Sequence, residues 1–182
     1  MLELSLHILD IAENSVRAKA CAVYITLTED PDHDRLVLEI RDDGHGMSES
    51  EIDRVMDPFY TTKKIRRVGL GLPMLAQAAQ NAGGCFEIKS KPGVGTTVKV
   101  VFQLTHIDRQ PLGDLPGTLM TLIAGNPDTH FVYRHQRQQE AYVLDTDEIK
   151  KEIEDVPINH TEVLKFIRRD VVDGLKEISA EA

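Results

Sequence analysis

The first 20 residues set the tone of the chain. Leu2, Leu6, Leu9 and Val16 recur at helical spacing on one side, while His7, Asp10, Asn14 and Arg17 follow at i, i+3, i+7 and i+10 on another. This pattern predicts an amphipathic helix over 2–20. Two β-rich runs come next, AVYITLTE (22–29) and RLVLEI (35–40), flanking the turn former Asp30-Pro31-Asp32, so a hairpin is expected. SESEIDRVMDP (48–58) opens with a serine and acidic first turn and stops at Pro58, which reads as a short helix. GLPMLAQAAQNAGG (71–84) reads as a helix with an Asn-Ala-Gly-Gly stop. CFEIKS (85–90) and TTVKVVFQL (96–104) read as strands joined across Lys91–Gly95.

The pattern changes at HIDRQPLGDLPG (106–117), with its two prolines and two glycines. Residues 1–105 therefore form one expected domain, and 106–182 a smaller α/β appendage of unassigned role. The appendage should hold a helix near 114–124, a hairpin from 130–135 and 140–144, and helices near 147–154 and 160–178. Asp145 or Thr146 is placed to cap the first of those last two helices, and Asn159 or Thr161 the second. The hairpin either extends the main sheet or forms a contact in a homodimer.

Composition narrows the function classes. The chain has 182 residues, 41% hydrophobic and 28% charged, ordinary values for a globular protein able to bury a core. With 21 Lys and Arg against 30 Asp and Glu, the net charge of −9 argues against a broad nucleic-acid-binding face. No apolar run approaches a membrane span, and the acidic start MLELSLHILDIAENS is unlike a signal peptide. Cys21 and Cys85 have no metal-type spacing and form no disulfide framework. A cytoplasmic protein without a membrane partner is expected.

Four segments carry candidate chemistry, in this order: DIAENSVRAKA (10–20), DDGHGM (42–47), DPFYTTK (57–63) and GLGL (69–72). Asn14 offers a carbonyl oxygen from the polar face of a helix. Magnesium takes oxygen ligands and keeps several waters and nucleotide phosphates, so a single protein oxygen suffices. Asp10 lies one turn earlier on the same face, and His7, a turn before that, reads as a surface histidine within reach of Asp10. Arg17 adds a cation, with Glu13 available to pair with it at i, i+4. Gly44 and Gly46 permit positive φ and close backbone approach. Met47 supplies an apolar wall. Lys63, Lys64, Arg66 and Arg67 make a basic loop suited to phosphate. Gly69, Leu70, Gly71 and Leu72 open a helix whose free amides and dipole favour an anion.

Together and in this order, the segments resemble the GHKL superfamily, the gyrase, MutL and histidine-kinase type of ATP-binding domain, over about residues 4–104. In lid and phosphate boxes the chain is most similar to histidine kinase catalytic domains. The resemblance implies an α+β two-layer sandwich of the Bergerat type, with a mixed, mostly antiparallel sheet, helices on one face, and ATP and Mg²⁺ as ligands. By the same resemblance Asn14 holds the metal, and Asp42 accepts from the adenine amine. Phe59 plugs a hinge, Thr61, Thr62 and Lys63 begin a short ATP lid, and Thr96 or Thr97 bonds near Asp42 or the purine. Asp10 stands where gyrase-like and MutL-like relatives carry a water-polarising Glu, and Arg17 where kinase relatives carry Lys or Arg.

The family pattern is also broken. Only about nine residues stand before Asp10, so neither a phosphoacceptor helix nor the usual first strand is expected ahead of it, and 106–182 is expected to be too small for a gyrase-type transducer domain. Three functions follow as candidates: a Mg-ATP-dependent kinase acting on a partner protein, an ATPase that drives a conformational switch, and a nucleotide sensor that only binds.

Overall fold

The computed structural model describes residues 3–57 and 71–180. Strands β1 (Ala22–Asp30), β2 (Arg35–Asp42), β3 (Cys85–Lys91), β4 (Gly95–Gln103), β5 (His130–Arg137) and β6 (Glu140–Asp145) form one sheet in the order β3-β4-β2-β1-β5-β6. Every neighbouring pair is antiparallel except β1 with β5. The helices are α1 (Leu4–Arg17), α2 (Glu49–Met56), α3 (Gly71–Asn81), α4 (Leu115–Gly125), α5 (Thr146–Ile153) and α6 (Thr161–Glu177).

Register shows where the core sits. Ile25 pairs across the sheet with Ile40 and Tyr133, and Leu27 with Leu38, while Ile40 and Leu38 pair with Val98 and Val100. All of these side chains are buried. Alternation along each strand therefore puts the apolar residues on a single face. There α1 and α3 pack on the strands, with α4 beside α1 and α6 beside α4. This is the expected two-layer α+β sandwich.

The C-terminal hairpin extends this sheet rather than standing apart from it. Its seam with β1 buries a polar network: His135 Nε2 lies 2.7 Å from Glu29 Oε1, and His135 Nδ1 lies 2.7 Å from the Tyr133 hydroxyl. Burial pushes the Tyr133 phenol well above its ordinary range, so it stays protonated. The connecting segment also joins α1. Leu4 and Ser5 donate their amides to Pro111 and Leu112 at 2.9 and 2.8 Å, satisfying helix-start donors that Glu3 leaves uncapped.

Several local expectations need correction. The buried stripe of α1 is Leu4, Ile8, Ile11, Ala12 and Ser15, whereas Leu6 is exposed and Leu9 and Val16 flank the core. His7 is not on the surface. It is buried, with Nε2 3.0 Å from Gln110 Oε1, and desolvation holds its pKa below the ordinary 6.5. Asp145 caps α5, accepting from Asp147 N at 2.9 Å. α6 is capped by His160, whose Nδ1 accepts from Glu162 N, and not by Asn159 or Thr161.

Candidate functional site

A cavity of about 300 Å³ opens between α1, the β2–α2 turn, α2, β4 and the start of α3. Ile11, Ile40, Met47, Val55 and Val98 make its apolar walls, and Asn14, Arg17, Asp42 and Thr96 bring polar groups to it. The arrangement has the usual form of a small-ligand pocket, mostly apolar with a few convergent polar groups.

Asp42, the last residue of β2, is buried and held from three sides. Its Oδ1 accepts the amides of Gly44 at 2.9 Å and Thr96 at 3.2 Å, and its Oδ2 accepts the Ser15 hydroxyl at 2.6 Å. A carboxylate has about four lone-pair positions. Three are filled by the protein, which leaves one on Oδ2 for a ligand donor. Sequence reasoning missed Ser15; its signal is its place on the α1 stripe of Leu4, Ile8 and Ile11, which turns it inward. Asp43 points elsewhere and accepts from the amides of Cys21 and Ala22 at 2.7 and 2.9 Å, fixing the start of β1.

The two glycines of DDGHGM work differently from one another. Gly46 has φ +67° and sits where any Cβ would collide with the Lys91 carbonyl. Gly44 does not need positive φ, contrary to expectation. It is required by the close approach of the Ala18 carbonyl, 2.9 Å from where a Cβ would stand. Between them, His45 donates its amide to Ala18 O at 2.9 Å and accepts at its carbonyl from Gly93 N at 2.7 Å. Met47 is tied by its amide to Ser90 Oγ at 2.8 Å.

Four residues on α1 form a ladder, of which Asn14 and Arg17 line the cavity. Asn14 Nδ2 donates to Asp10 Oδ2 at 3.3 Å, Arg17 Nη1 donates to Asn14 Oδ1 at 2.7 Å, and Arg17 Nη2 reaches Glu13 Oε2 at 2.7 Å. The i, i+3 and i, i+4 spacings of a helix make all three contacts available. Asp10 itself does not line the cavity. Its carboxylate lies against Gly71 at the start of α3, where any Cβ would strike Oδ2. Gly71 and Leu72 do line the cavity. Thr96 reaches it, but Thr97 does not: alternation turns Thr97 to the opposite face of the sheet, beside Tyr24, Arg41 and Lys89. Phe59, Thr61, Thr62, Lys63, Gly69 and Leu70 lie outside the described residues.

The donor set suits a magnesium nucleotide. Among the described residues no group of three or more His, Cys, Asp or Glu side chains is built to hold a metal. A magnesium ion bound here would draw mainly on phosphate and water, with the Asn14 amide oxygen as its protein ligand once Arg17 moves off it.

The chain is similar to several known proteins. The chain is 39% identical over 75 residues to sensor histidine kinase YxdK of Bacillus subtilis (strain 168), covering 39% of this chain and 23% of that protein. It is 28% identical over 96 residues to sporulation kinase C of the same organism, covering 53% and 22%. With sensor kinase CckA of Brucella abortus (strain 2308) it shares 35% over 87 residues, covering 47% and 9%. The matches thus span less than a quarter of each of these relatives' length. Among solved structures, the crystal structure of the N-terminal domain of a DNA repair protein superposes with a TM-score of 0.55 at 16% identity, covering 80% of this chain and 53% of that one. That likeness shows the fold. The model of the histidine kinase-, DNA gyrase B- and HSP90-like ATPase family matches residues 2–106. An acidic acceptor at the base of an apolar cavity, a polar ladder on the first helix and a glycine-opened third helix are thereby joined to a sequence match over more than half the chain, which belongs to the histidine kinase-, DNA gyrase B- and HSP90-like ATPase family.

Proposed function

We propose that this protein is a regulatory, cytoplasmic, Mg-ATP-dependent kinase-like protein that passes the γ-phosphoryl group to a partner protein. The observation that carries the reading is the meeting of Asp10, Asn14 and Gly71, in which an acid outside the cavity touches a metal-suited oxygen and a helix start that both line it. In this reading Asp42 takes the adenine amine on the open position of Oδ2, with Gly44, Gly46, Met47 and Thr96 shaping the base pocket. Asn14 ligates Mg²⁺, which would draw the phosphate oxygens together and offset their charge. Arg17 leaves Asn14 for the triphosphate, joined by Lys63 and by the amides of Gly69–Leu72. Asp10 orients the attacking group or accepts its proton. Phe59, Thr61 and Thr62 belong to the lid in this proposal.

A second reading, an ATP-hydrolysing switch, is favoured by the acid at Asp10, which serves a water nucleophile as well as a protein hydroxyl. Incubating the full chain with γ-labelled ATP, with and without cell lysate, separates the readings. Label on a second protein supports the kinase, free phosphate alone supports the ATPase, and binding without either leaves a nucleotide sensor.

A further inference from the structure

A groove of about 510 Å³ lies on the face of the sheet opposite to that on which α1 and α3 pack. Register sets its side chains in one row across four strands. Lys89 of β3 pairs with Thr97 of β4, Thr97 with Arg41 of β2, and Arg41 with Tyr24 of β1. Each has a neighbour in sequence turned to the core, Ile88, Val98, Ile40 and Val23, so alternation carries all four side chains to the other face. Lys91, two residues beyond Lys89 on β3, shares that face. Val94, in the β3–β4 turn, also lines the groove and is 61% exposed.

The row is basic in a chain whose net charge is −9. The Arg41 guanidinium lies over the Tyr24 ring, 4.6 Å from its centroid, which steadies the cation without using its N–H groups. Neither Arg41 nor Lys91 makes a side-chain hydrogen bond or ion pair to a described residue. Lys89 meets Glu87 at 2.8 Å, but both are more than half exposed, so that pair is weak and open to exchange. Two acids border the groove. Asp42 directs its carboxylate to the cavity, and Asp43 uses Oδ1 for the amides of Cys21 and Ala22. In the next row Glu87, Lys99 and Glu39 stand in register with alternating sign, so no comparable excess of positive charge exists there.

We propose that this groove docks an extended, acidic segment of a partner protein, with carboxylates on Arg41, Lys89 and Lys91 and an apolar side chain against Val94. The free N–H groups of an arginine match a carboxylate through two parallel hydrogen bonds. Two strand spacings, about 10 Å, separate Lys89 from Arg41 along the row. That spread suits several carboxylates on one segment rather than a single small anion. Nucleic acid fits less well. Arg41 and, in a T-shaped contact at 6.0 Å, His130 already engage the Tyr24 ring, so it is no free stacking platform, and the net charge of −9 opposes a long polyanion. The docking does not depend on what the cavity binds.

The test is fluorescence anisotropy at low salt with a labelled peptide of repeating Glu-Asp-Leu, its Lys-Lys-Leu counterpart and a single-stranded oligothymidylate. The full chain is compared with Arg41→Gln, Lys91→Gln and, as a control of equal charge change on α6, Lys165→Gln. The acidic peptide should bind in preference to the basic one, and each groove substitution should weaken it about two- to fivefold. Lys165→Gln should leave it unchanged, and added salt should weaken it further. Circular dichroism confirms that the variants are folded. No binding at millimolar acidic peptide overturns the proposal, as does equal weakening by Lys165→Gln, which would reduce the effect to net charge. Tighter binding of the oligonucleotide, lost in the groove variants, would assign the surface to nucleic acid instead. Self-association of the wild type, abolished by the same substitutions in light scattering, would give the groove to a second copy of the chain.

Discussion

Replacing Asp42 by Asn tests the chemistry at the base of the cavity, because every partner of that carboxylate is known. Oδ1 carries two backbone amides, and an amide oxygen placed there keeps both. The new NH₂ then occupies the position of Oδ2. The Ser15 hydroxyl, now 2.6 Å from Oδ2 and 3.3 Å from Ile11 O, can turn its proton fully to Ile11 and accept from the amide instead. Folding thus loses the charge-assisted part of three hydrogen bonds, about 1–2 kcal/mol. For a chain of this length that lowers Tm by about 2–8 °C. Binding loses more. The open acceptor on Oδ2 becomes a donor facing the adenine amine, at a cost of about 1.5–3 kcal/mol, or roughly ten- to 150-fold in Kd. Inorganic tripolyphosphate, which has no base, should bind both proteins equally. Calorimetry beside thermal denaturation gives all three readouts. An ATP Kd within about twofold of wild type, with the Tm nevertheless lowered, would show that Asp42 holds the fold together without touching the base.

Other substitutions probe separate parts of the molecule. Asp10→Asn should slow phosphoryl transfer or hydrolysis by roughly 10²–10⁴ with little change in ATP affinity, and equal single-turnover rates would make Asp10 a solvated helix acid. Asn14→Ala should abolish the gain in ATP affinity that Mg²⁺ confers while leaving the fold intact, since alanine suits an exposed helix position; titration with and without EDTA decides it. Gly174→Ala drives a methyl into the Tyr142 ring packed on α6 and should cost about 1–3 kcal/mol, so an unchanged Tm would refute that packing. His7 has a pKa below 6.5 in the fold, so the unfolded chain takes up the proton first. Stability should be fully present above about pH 6.5 and fall as pH drops below it, and His7→Gln should flatten that slope in urea melts.

The sequence by itself determined what depends on short-range physics. Period-2 runs, Gly-Pro turns and helix punctuation located the elements, because strand alternation and turn dihedrals are settled within a few residues. Ser48 and Glu51 bond to one another at the start of α2, as the Ser-acid spacing there suggests. The order of glycine and acid boxes carried the family resemblance for the same reason. Which faces meet was decided only in three dimensions. Apolar side chains cover so wide an arc of α1 that the stripe of Leu6, Leu9 and Val16 and the stripe of Leu4, Ile8 and Ile11 are both plausible from spacing. Docking on β1 and β2 selected the second, and with it turned Ser15 toward Asp42. Burial of His7 required the segment around Gln110, more than 100 residues away in sequence. Thr96 and Thr97 are equivalent as residue types, and only the register of β4 against β2 sends one to the cavity and the other to the opposite face. The parallel pairing of β5 with β1 likewise joins segments about 100 residues apart. No local propensity encodes such a pairing; it exists because burying Phe131 and Tyr133 on the common face, where His135 and Glu29 satisfy one another, offsets the entropy of closing so long a loop.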